Sequence, residues 1–570
     1  MPGNADVAAI FRSTAALLEI KGENIFRVRA YEKAARNIES LPEDINLLAK
    51  TGRLREIPGI GADLEAKIQE IVSTGELSFF SDLKESLPPG LPQLLEIPSL
   101  GPKTVSLLYK QANINSLSDL EAAISSGRLL TIPGIKEKSL ENMSKGIRLF
   151  KSSKERMPLR DAESLAQEIQ ENFPPGSLSV AGSLRRRVES VGDIDFLSSA
   201  GEGNVSFINN FIAAVGDAEL LARGGTKVSL RASRGTQIDL RLVKKEEYGA
   251  ALVYFTGSRA FNVKLRHIAG QNGYKLNEYG LYDAAGSRIA GKTEQEIFSR
   301  LKMSFVPPEL REDRGEIELA LEKRLPPLVE QSMIRGDLHT HSRWSDGEAD
   351  IEEMAEAAKA LGYSYIAITD HSQSLKIAGG LSPRRLSEKR REIAAVNARH
   401  KGKIRVLYGT ETEIGPGGEL DYDDAVLAEF DIVLGAVHTG FSQSEKQLTA
   451  RIVKACKNRW VHIIAHPTGR LRGVREPYKI DLKTVFKAAA DTNTGMEINS
   501  YHQRMDLNDV NCRMAADNGV RLAVNTDSHH PDQLKNIRYG VDIARRGRLG
   551  PQNVINTLGV EGLLKTIKKK

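Results

Sequence analysis

The chain has 570 residues, far more than one hydrophobic core organises, so several domains are expected. Lys and Arg number 80 against 74 Asp and Glu, a net charge of +6 that is compatible with nucleic acid. Two cysteines, Cys456 and Cys512, exclude a disulfide framework, and no apolar run approaches the ~18 residues of a membrane span.

The two cysteines, neither in a C-x-x-C pair, suit a reducing cytoplasm, the expected location, and the first residues lack the basic and apolar regions of a signal peptide. Val7, Ile10, Phe11, Ala15 and Leu18 form one helical stripe, and Tyr31, Ala34, Ala35 and Ile38 another. Three related punctuations follow: Ile57-Pro-Gly-Ile-Gly61, Ile97-Pro-Ser-Leu-Gly101 and Ile132-Pro-Gly-Ile-Lys136. Helical patterns succeed them, Leu64 to Ile71 and Thr104 to Leu108 among them. Glycine between two helices lets backbone N–H groups face an anion, and the helix dipole adds to the attraction. Such helix-hairpin-helix turns grip DNA phosphates without reading bases. Gly59, Gly61 and Gly101 are the expected contacts; the third turn ends in Lys136 and is discounted as a phosphate site.

The stretch Gly182 to Phe196 reads GSLRRRVESVGDIDF. In an extended strand Asp193 and Asp195 share one face while Ile194 packs beneath. A second alternating strand, Gln237 to Val243, carries Asp239. Three carboxylates from neighbouring strands suit two Mg²⁺ ions, the arrangement that stabilises attacking and leaving oxygens in phosphoryl displacement. Gly182, Ser183 and the arginines behind them offer donors and positive charge to a polyphosphate.

Gly-Ser, basic residues, Gly192-Asp-x-Asp and a later strand Asp form the nucleotidyltransferase pattern, and the block closely resembles the family X DNA polymerases. The resemblance continues in Tyr254-Phe255-Thr256-Gly257-Ser258, Asn262, Arg266 and Asn277-Glu278-Tyr279. It implies a palm in which Asp193, Asp195 and Asp239 are catalytic metal ligands. By the same resemblance, Arg156, Gly182, Ser183, Arg186, Gly192 and Gly257 meet the incoming nucleotide. Tyr254 and Phe255 abut its sugar, Asn262 lies near the base and Arg266 near the template. Lys67 matches the family lysine that forms a Schiff base with an abasic sugar. Asp63, four residues before it, raises an amine's pKa, so a phosphate contact is the alternative role for Lys67.

Leu325-Pro-Pro-Leu328 reads as a linker stiffened by two prolines. Beyond it, short apolar strands alternate with helical patterns, and nearly every strand ends in a histidine or an acid. Seven β/α units with polar residues at their strand ends describe a barrel whose site lies at the C-terminal face. Ten of the eleven histidines fall between His339 and His530. Imidazole and carboxylate together suit Zn²⁺, Mn²⁺ or Fe²⁺ rather than Mg²⁺ alone.

The H-x-H, S-D-G, T-D-H, A-H-P and T-D-x-H motifs resemble the polymerase and histidinol phosphatase (PHP) family. All nine ligand positions of that family's trinuclear site are filled: His339, His341, Asp346, His371, Glu411, His438, His466, Asp527 and His529. The resemblance implies three Mn²⁺ or Zn²⁺ ions. Together the two resemblances cover nearly the whole chain, in the arrangement of bacterial family X polymerases with a C-terminal PHP domain.

The expected class is multidomain α+β and α/β. Residues 1–88 are a helical, lyase-like DNA-binding domain, 89–150 a second hairpin subdomain, 151–255 the palm and 256–320 the nascent-base-pair subdomain. Residues 321–334 form the linker and 335–570 a distorted (β/α)7 PHP barrel. The expected function is filling short gaps in base excision repair, joined to a 3′→5′ exonuclease or phosphoesterase that also acts on abasic sites. Gapped or nicked DNA, 3′ ends and deoxynucleoside triphosphates are the expected partners, and a monomer the expected state. Two alternatives are a nuclease with a non-catalytic polymerase-like module and a small-molecule phosphatase.

Overall fold

The computed structural model describes residues 2–569 except 40, 42, 98, 99, 155, 234, 473 and 474, and the side chains of 148, 149 and 151–154 are not described. The chain forms two compact units, Met1–Arg156 and Met157–Lys570.

The first unit is helical. Helices α1 (Asn4–Lys21) and α2 (Ile25–Glu39) pair through the expected stripes, with Phe11 edge-on to Tyr31 at 5.3 Å between ring centroids. Glycines cap the helices that follow the first two hairpin turns: Gly61 precedes α3 (Ala62–Thr74) and Gly101 precedes α4 (Pro102–Ala112). The third turn leads into α5 (Glu137–Lys154). One hydrogen bond recurs in all three turns: Ile60 N to Ile57 O at 3.1 Å, Leu100 N to Ile97 O at 3.0 Å and Ile135 N to Ile132 O at 3.1 Å. The apolar residues at both ends of each bond are buried. Gly59 (φ +85°) and Gly134 (φ +95°) sit in the left-handed region that glycine enters without strain. The third turn, discounted from sequence, thus has the backbone of the first. Pro98 and Ser99 of the second turn lie outside the described residues.

In the second unit, helix α6 (Leu159–Gln170) precedes a five-stranded sheet. Its strands are β1 (Ser179–Val180), β2 (Asp193–Ser198), β3 (Ala218–Arg223), β4 (Lys227–Ala232) and β5 (Gln237–Leu242), in the order β1-β2-β5-β4-β3. Strands β2 and β5 run parallel in the centre. On β2, Ile194 and Phe196 are buried beneath the acids, as the alternation requires. Helices α7 (Tyr248–Thr256) and α8 (Arg259–Gln271) lead into a smaller apolar cluster around Phe261, Phe298 and Leu310.

The stretch read as a linker is packed rather than free. Val329 is fully buried, its N–H donating to Leu549 O at 2.9 Å and its carbonyl accepting from Arg545 Nη1 at 3.0 Å.

Beyond it stand seven parallel strands in sequential order: β6 (Gly336–Thr340), β7 (Tyr365–Ile368), β8 (Arg405–Glu413), β9 (Ile432–Ala436), β10 (Ile463–Ile464), β11 (Gly495–Asn499) and β12 (Leu522–Asn525). A parallel bridge between Thr340 and Ser528 joins the first strand's end to the last. Buried on both faces, these strands read as continuous apolar runs. Strand β10 is the shortest of these, because only Ile463 and Ile464 pair on both sides. Between strands, helices pack outside; the first, α9 (Ile351–Ala360), starts with a reciprocal capping box of Asp350 and Glu353. One apolar core runs from palm residues such as Ile194 and Phe196 into barrel residues such as Ile366 and Val524.

Candidate active sites

The palm acids meet by register. Asp195 is the cross-strand partner of Asp239, while Asp193 is level with Gln237. Asp193 is exposed, Asp195 half-buried and Asp239 buried. Burial, then the charges of Asp193 and Asp239, push Asp195 up to about 7, against the opposing pull of Lys227 and Arg186. Three crowded carboxylates with this electrostatic conflict fit divalent cations.

Sequence reasoning missed Lys227, whose Nζ lies 3.0 Å from Asp239 Oδ2. Gln237 Nε2 donates to Asp239 Oδ1 at 3.1 Å. Gly182 has φ +59°, and a Cβ there would overlap the Asp195 carboxylate, so glycine is required twice over. Beside it, the buried Ser183 Oγ makes no hydrogen bond to a described residue.

The three arginines of the loop behave differently. Arg185 chelates Glu294 (2.8 and 2.7 Å) and donates to Thr256 Oγ1, a structural role. Arg186 donates to Glu312 Oε1 (3.0 Å) and Thr256 O (2.8 Å). Arg187 pairs with Glu163 and Asp542. Tyr254 and Phe255 contact edge-on at 5.2 Å, and Asn262 Nδ2 donates to Tyr254 O and Gly257 O. A Cβ on Gly257 would crowd Asn262. Gly192 and Arg266 are exposed. Arg156 is exposed and ends the first unit. Lys67, in the first unit, pairs with Asp63 and lies 5.4 Å from the Phe79 ring centroid.

The second site is the barrel mouth, where all nine sequence-predicted residues converge. His339 is the penultimate residue of β6, and His341 lies just beyond the strand. His341, Asp346, His371 and His529 form one group; His339, His341 and Asp527 a second; His371, Glu411 and His438 a third. Their potential ligand atoms lie within 4.8 Å of one another in each group. His466 Nε2 joins them at 2.8 Å from Glu411 Oε1. His339 Nε2 is 3.4 Å from both Glu411 Oε2 and Asp527 Oδ1, and His341 Nε2 is 3.2 Å from Asp527 Oδ1.

Burial disfavours charge on Glu411, but His339, His438 and His371 outweigh it and hold the carboxyl well below its usual range. Burial, then the neighbouring His529 and His371, push His341 down to about 4. For His371, Glu411 and Asp346 override burial and raise it to about 10. Buried His339 Nε2, both nitrogens of His341, His371 Nδ1, His466 Nδ1 and Glu411 Oε2 make no hydrogen bond to a described residue. Buried polar atoms are normally satisfied. So many orphaned imidazole nitrogens beside carboxylates fit a set of metal ligands.

The residues behind this mouth were not legible as site residues. Glu497, fully buried in β11, takes His339 Nδ1 at 2.7 Å and the His466 N–H at 2.7 Å. Glu413 takes His438 Nδ1 at 2.8 Å and is itself held by Arg451. Carboxylates behind ligating histidines fix tautomer and ring orientation. An acid inside the apolar run of β11, and a second acid two residues after Glu411, were the available signals. Arg504, also missed, sits 3.2 Å from Asp527 Oδ2.

A fourth group, Glu352, Glu356 and His400, lies on the outer helices. Its glutamates face opposite ring nitrogens and are taken by Arg399 and Lys359, so it is a poor cation site.

Comparison with known proteins matches residues 2–77 to a helix-hairpin-helix domain and 91–148 to a SAM-like helix-hairpin-helix tandem. Residues 251–312 match the DNA polymerase beta thumb, and 337–501 the PHP domain. The chain is 36% identical to DNA polymerase/3′-5′ exonuclease PolX of Bacillus subtilis (strain 168), over 99% of each protein. It is 25% identical to DNA polymerase lambda of Arabidopsis thaliana over 54% of this chain and 62% of that protein. A probable phosphatase of Syntrophotalea carbinolica is 28% identical over 39% of this chain and 90% of its own length.

Proposed function

Because the chain belongs to the family X DNA polymerases that carry a C-terminal PHP domain, we propose that it fills short gaps in DNA and trims DNA 3′ ends at a separate site. The observation that carries this reading is the presence of two complete carboxylate-bearing sites in one chain: the Asp195–Asp239 register pair and the nine-residue barrel mouth.

In the palm, Asp193, Asp195 and Asp239 would hold two Mg²⁺ ions, and Asp239 would serve the primer 3′-hydroxyl. In the barrel, the nine residues would hold three Mn²⁺ or Zn²⁺ ions. Divalent ions at either site supply Lewis-acid charge to the attacked phosphate and the attacking oxygen. The protein's own groups do the rest. Lys227 and Gln237 orient Asp239 from either side. Gly182 lets the backbone approach, Ser183 and Arg186 offer donors to the triphosphate, and Gly192 belongs to the same nucleotide contact set. Tyr254, Phe255 and Gly257 border the sugar, Asn262 the base and Arg266 the template. Glu497 and Glu413 hold the Nδ1 protons of His339 and His438, leaving each Nε2 free to ligate.

The hairpins bring duplex DNA through N–H groups near Gly59, Gly61 and Gly101. For Lys67 we favour a phosphate contact, because its Nζ is engaged by Asp63 rather than free to attack a sugar. No helix among the described residues is long and apolar enough to cross a membrane.

The test measures Mg²⁺-dependent gap filling and Mn²⁺-dependent 3′-end degradation on one preparation of a His339→Ala, His341→Ala double variant. Degradation is expected to vanish while gap filling persists. Persistent degradation would place the nuclease elsewhere, and loss of both would show that the sites are not separable.

A further inference from the structure

The palm loop that would carry the triphosphate is fastened to the barrel. Between Gly182 and Val191, three nearly consecutive residues each meet a barrel residue. The Arg186 carbonyl accepts from Arg546 Nη1 at 2.7 Å. Arg546 Nη2 shares Glu312 Oε1 with Arg186 Nε, at 3.1 and 3.0 Å, and reaches Asp509 Oδ2 at 2.8 Å. Arg187, at φ +58° in the left-handed region, sends its guanidinium to Asp542 Oδ2 at 2.8 Å (Nε) and 2.7 Å (Nη2). Glu189 accepts from Arg470 Nη2 at 2.6 Å.

Asp542 and Arg546 lie on helix α10 (Ile537–Arg546), which packs on β12. Side chains at this seam are largely dehydrated: Arg546 is 6% exposed and Asp542 14%. A non-glycine residue at positive φ is uncommon and persists where its surroundings fix it. Here local backbone bonds hold it, Arg187 N to Leu184 O at 3.0 Å and Val188 N to Ser183 O at 3.1 Å, while Asp542, on the barrel, and Glu163, on the palm, hold its guanidinium. Ion pairs this buried add little net stability against a well-packed apolar seam, but breaking one is costly, which makes them registers rather than glue. What they register is the loop holding Gly182, Ser183 and Arg186. The partners of Asp542 and Arg546 include none of the nine barrel-mouth residues.

We propose that helix α10 of the barrel is a positioning element of the polymerase site, with Asp542 and Arg546 setting the loop that presents Gly182, Ser183 and Arg186 to the nucleoside triphosphate. This rests on the polymerase reading above. The barrel then has two duties carried by different faces: its mouth for the nuclease, and α10 for nucleotide binding in the palm.

The test is steady-state gap filling against deoxynucleotide concentration for Arg546→Met, Arg546→Lys and Asp542→Asn, with 3′-end degradation measured on the same preparations. Arg546→Met is expected to raise the nucleotide KM roughly tenfold, as misplacement of binding groups does. Arg546→Lys, which keeps the charge and one donor, is expected to fall between parent and Arg546→Met. Degradation is expected to be unchanged. If Arg546→Met fails to fold, Asp542→Asn, nearly isosteric, is expected to raise the KM in the same direction. An unchanged nucleotide KM in the folded variants overturns the inference, as does an equal loss of both activities, which marks a merely structural seam. A parent protein that incorporates no nucleotide would instead overturn the polymerase reading.

Discussion

Asp195 and Asp239 face each other across two adjacent parallel strands, and Lys227 from β4 closes on Asp239 at 3.0 Å. The pairing makes Asp239 the most buried acid of the triad. Replacing it with Asn keeps its volume and a hydrogen-bonding end while deleting the charge. Nucleotide addition is expected to fall by ~10³-fold or more, the cost of lost transition-state charge stabilisation. Gapped-duplex binding should persist. Primer extension by gel, beside a binding titration, checks both halves, and near-normal extension would remove Asp239 from the chemistry.

Glu497 offers a sharper test of the barrel than any ligand, because it touches His339 only through Nδ1. Glu497→Gln keeps the shape but weakens the grip on that proton. Loss of a carboxylate behind a ligating histidine typically costs ~10–100-fold in metal affinity or activity. Calorimetric Mn²⁺ titration and 3′-end degradation should both shift by such a factor, with gap filling unmoved. Unaltered Mn²⁺ affinity would contradict the assignment of His339 as a ligand.

DNA affinity should fall linearly with the logarithm of salt concentration and ignore sequence, with a slope of about −0.9 per phosphate neutralised. A Cβ at Gly101 meets nothing within 4 Å, so Gly101→Ala should fold normally and still hold phosphate at arm's length. Gly59→Ala adds backbone strain, because φ there is +85°. Fluorescence anisotropy on gapped duplexes should show weaker binding for the double variant at every salt concentration. Parent-like binding would make these turns structural only.

His462 gives the barrel an acid-sensitive point. Burial, then the nearby Lys569 charge, pushes it down to about 4, and its Nδ1 accepts the Val433 N–H at 3.0 Å. A histidine whose folded pKa lies below its unfolded value of about 6.5 takes up its proton more readily when unfolded. Its stabilisation is therefore complete above pH ~6.5 and lost as pH falls towards 4, a change of about 3 kcal/mol. Urea midpoints measured across that window should drop, and His462→Gln should flatten the dependence. An equal drop in the variant would assign the acid sensitivity to other groups.

Each structural surprise has a local explanation. The third hairpin has the first hairpin's backbone because Ile132, Gly134 and Ile135 repeat its buried ends and its left-handed glycine; Lys136 falls after the turn is complete. The prolines at 326 and 327 stop regular structure, but Val329 behind them is apolar and finds the core.

The sequence by itself determined the catalytic residue types and their places along the chain. Strand periodicity puts Asp193 and Asp195 on one face, and polar residues that end apolar runs, such as His339, Glu411 and His438, can only gather at one end of a parallel barrel. Such patterns are local, extending over a few residues, and survive any arrangement of the rest. Only the tertiary structure decided that Glu497 stands behind His339, 158 positions away, and that Arg187 meets Asp542, 355 positions away. Those pairs depend on which strands adjoin and how α10 packs against the palm. No periodicity encodes that, because a buried acid reads the same in a sequence whether its partner is a histidine, an arginine or water.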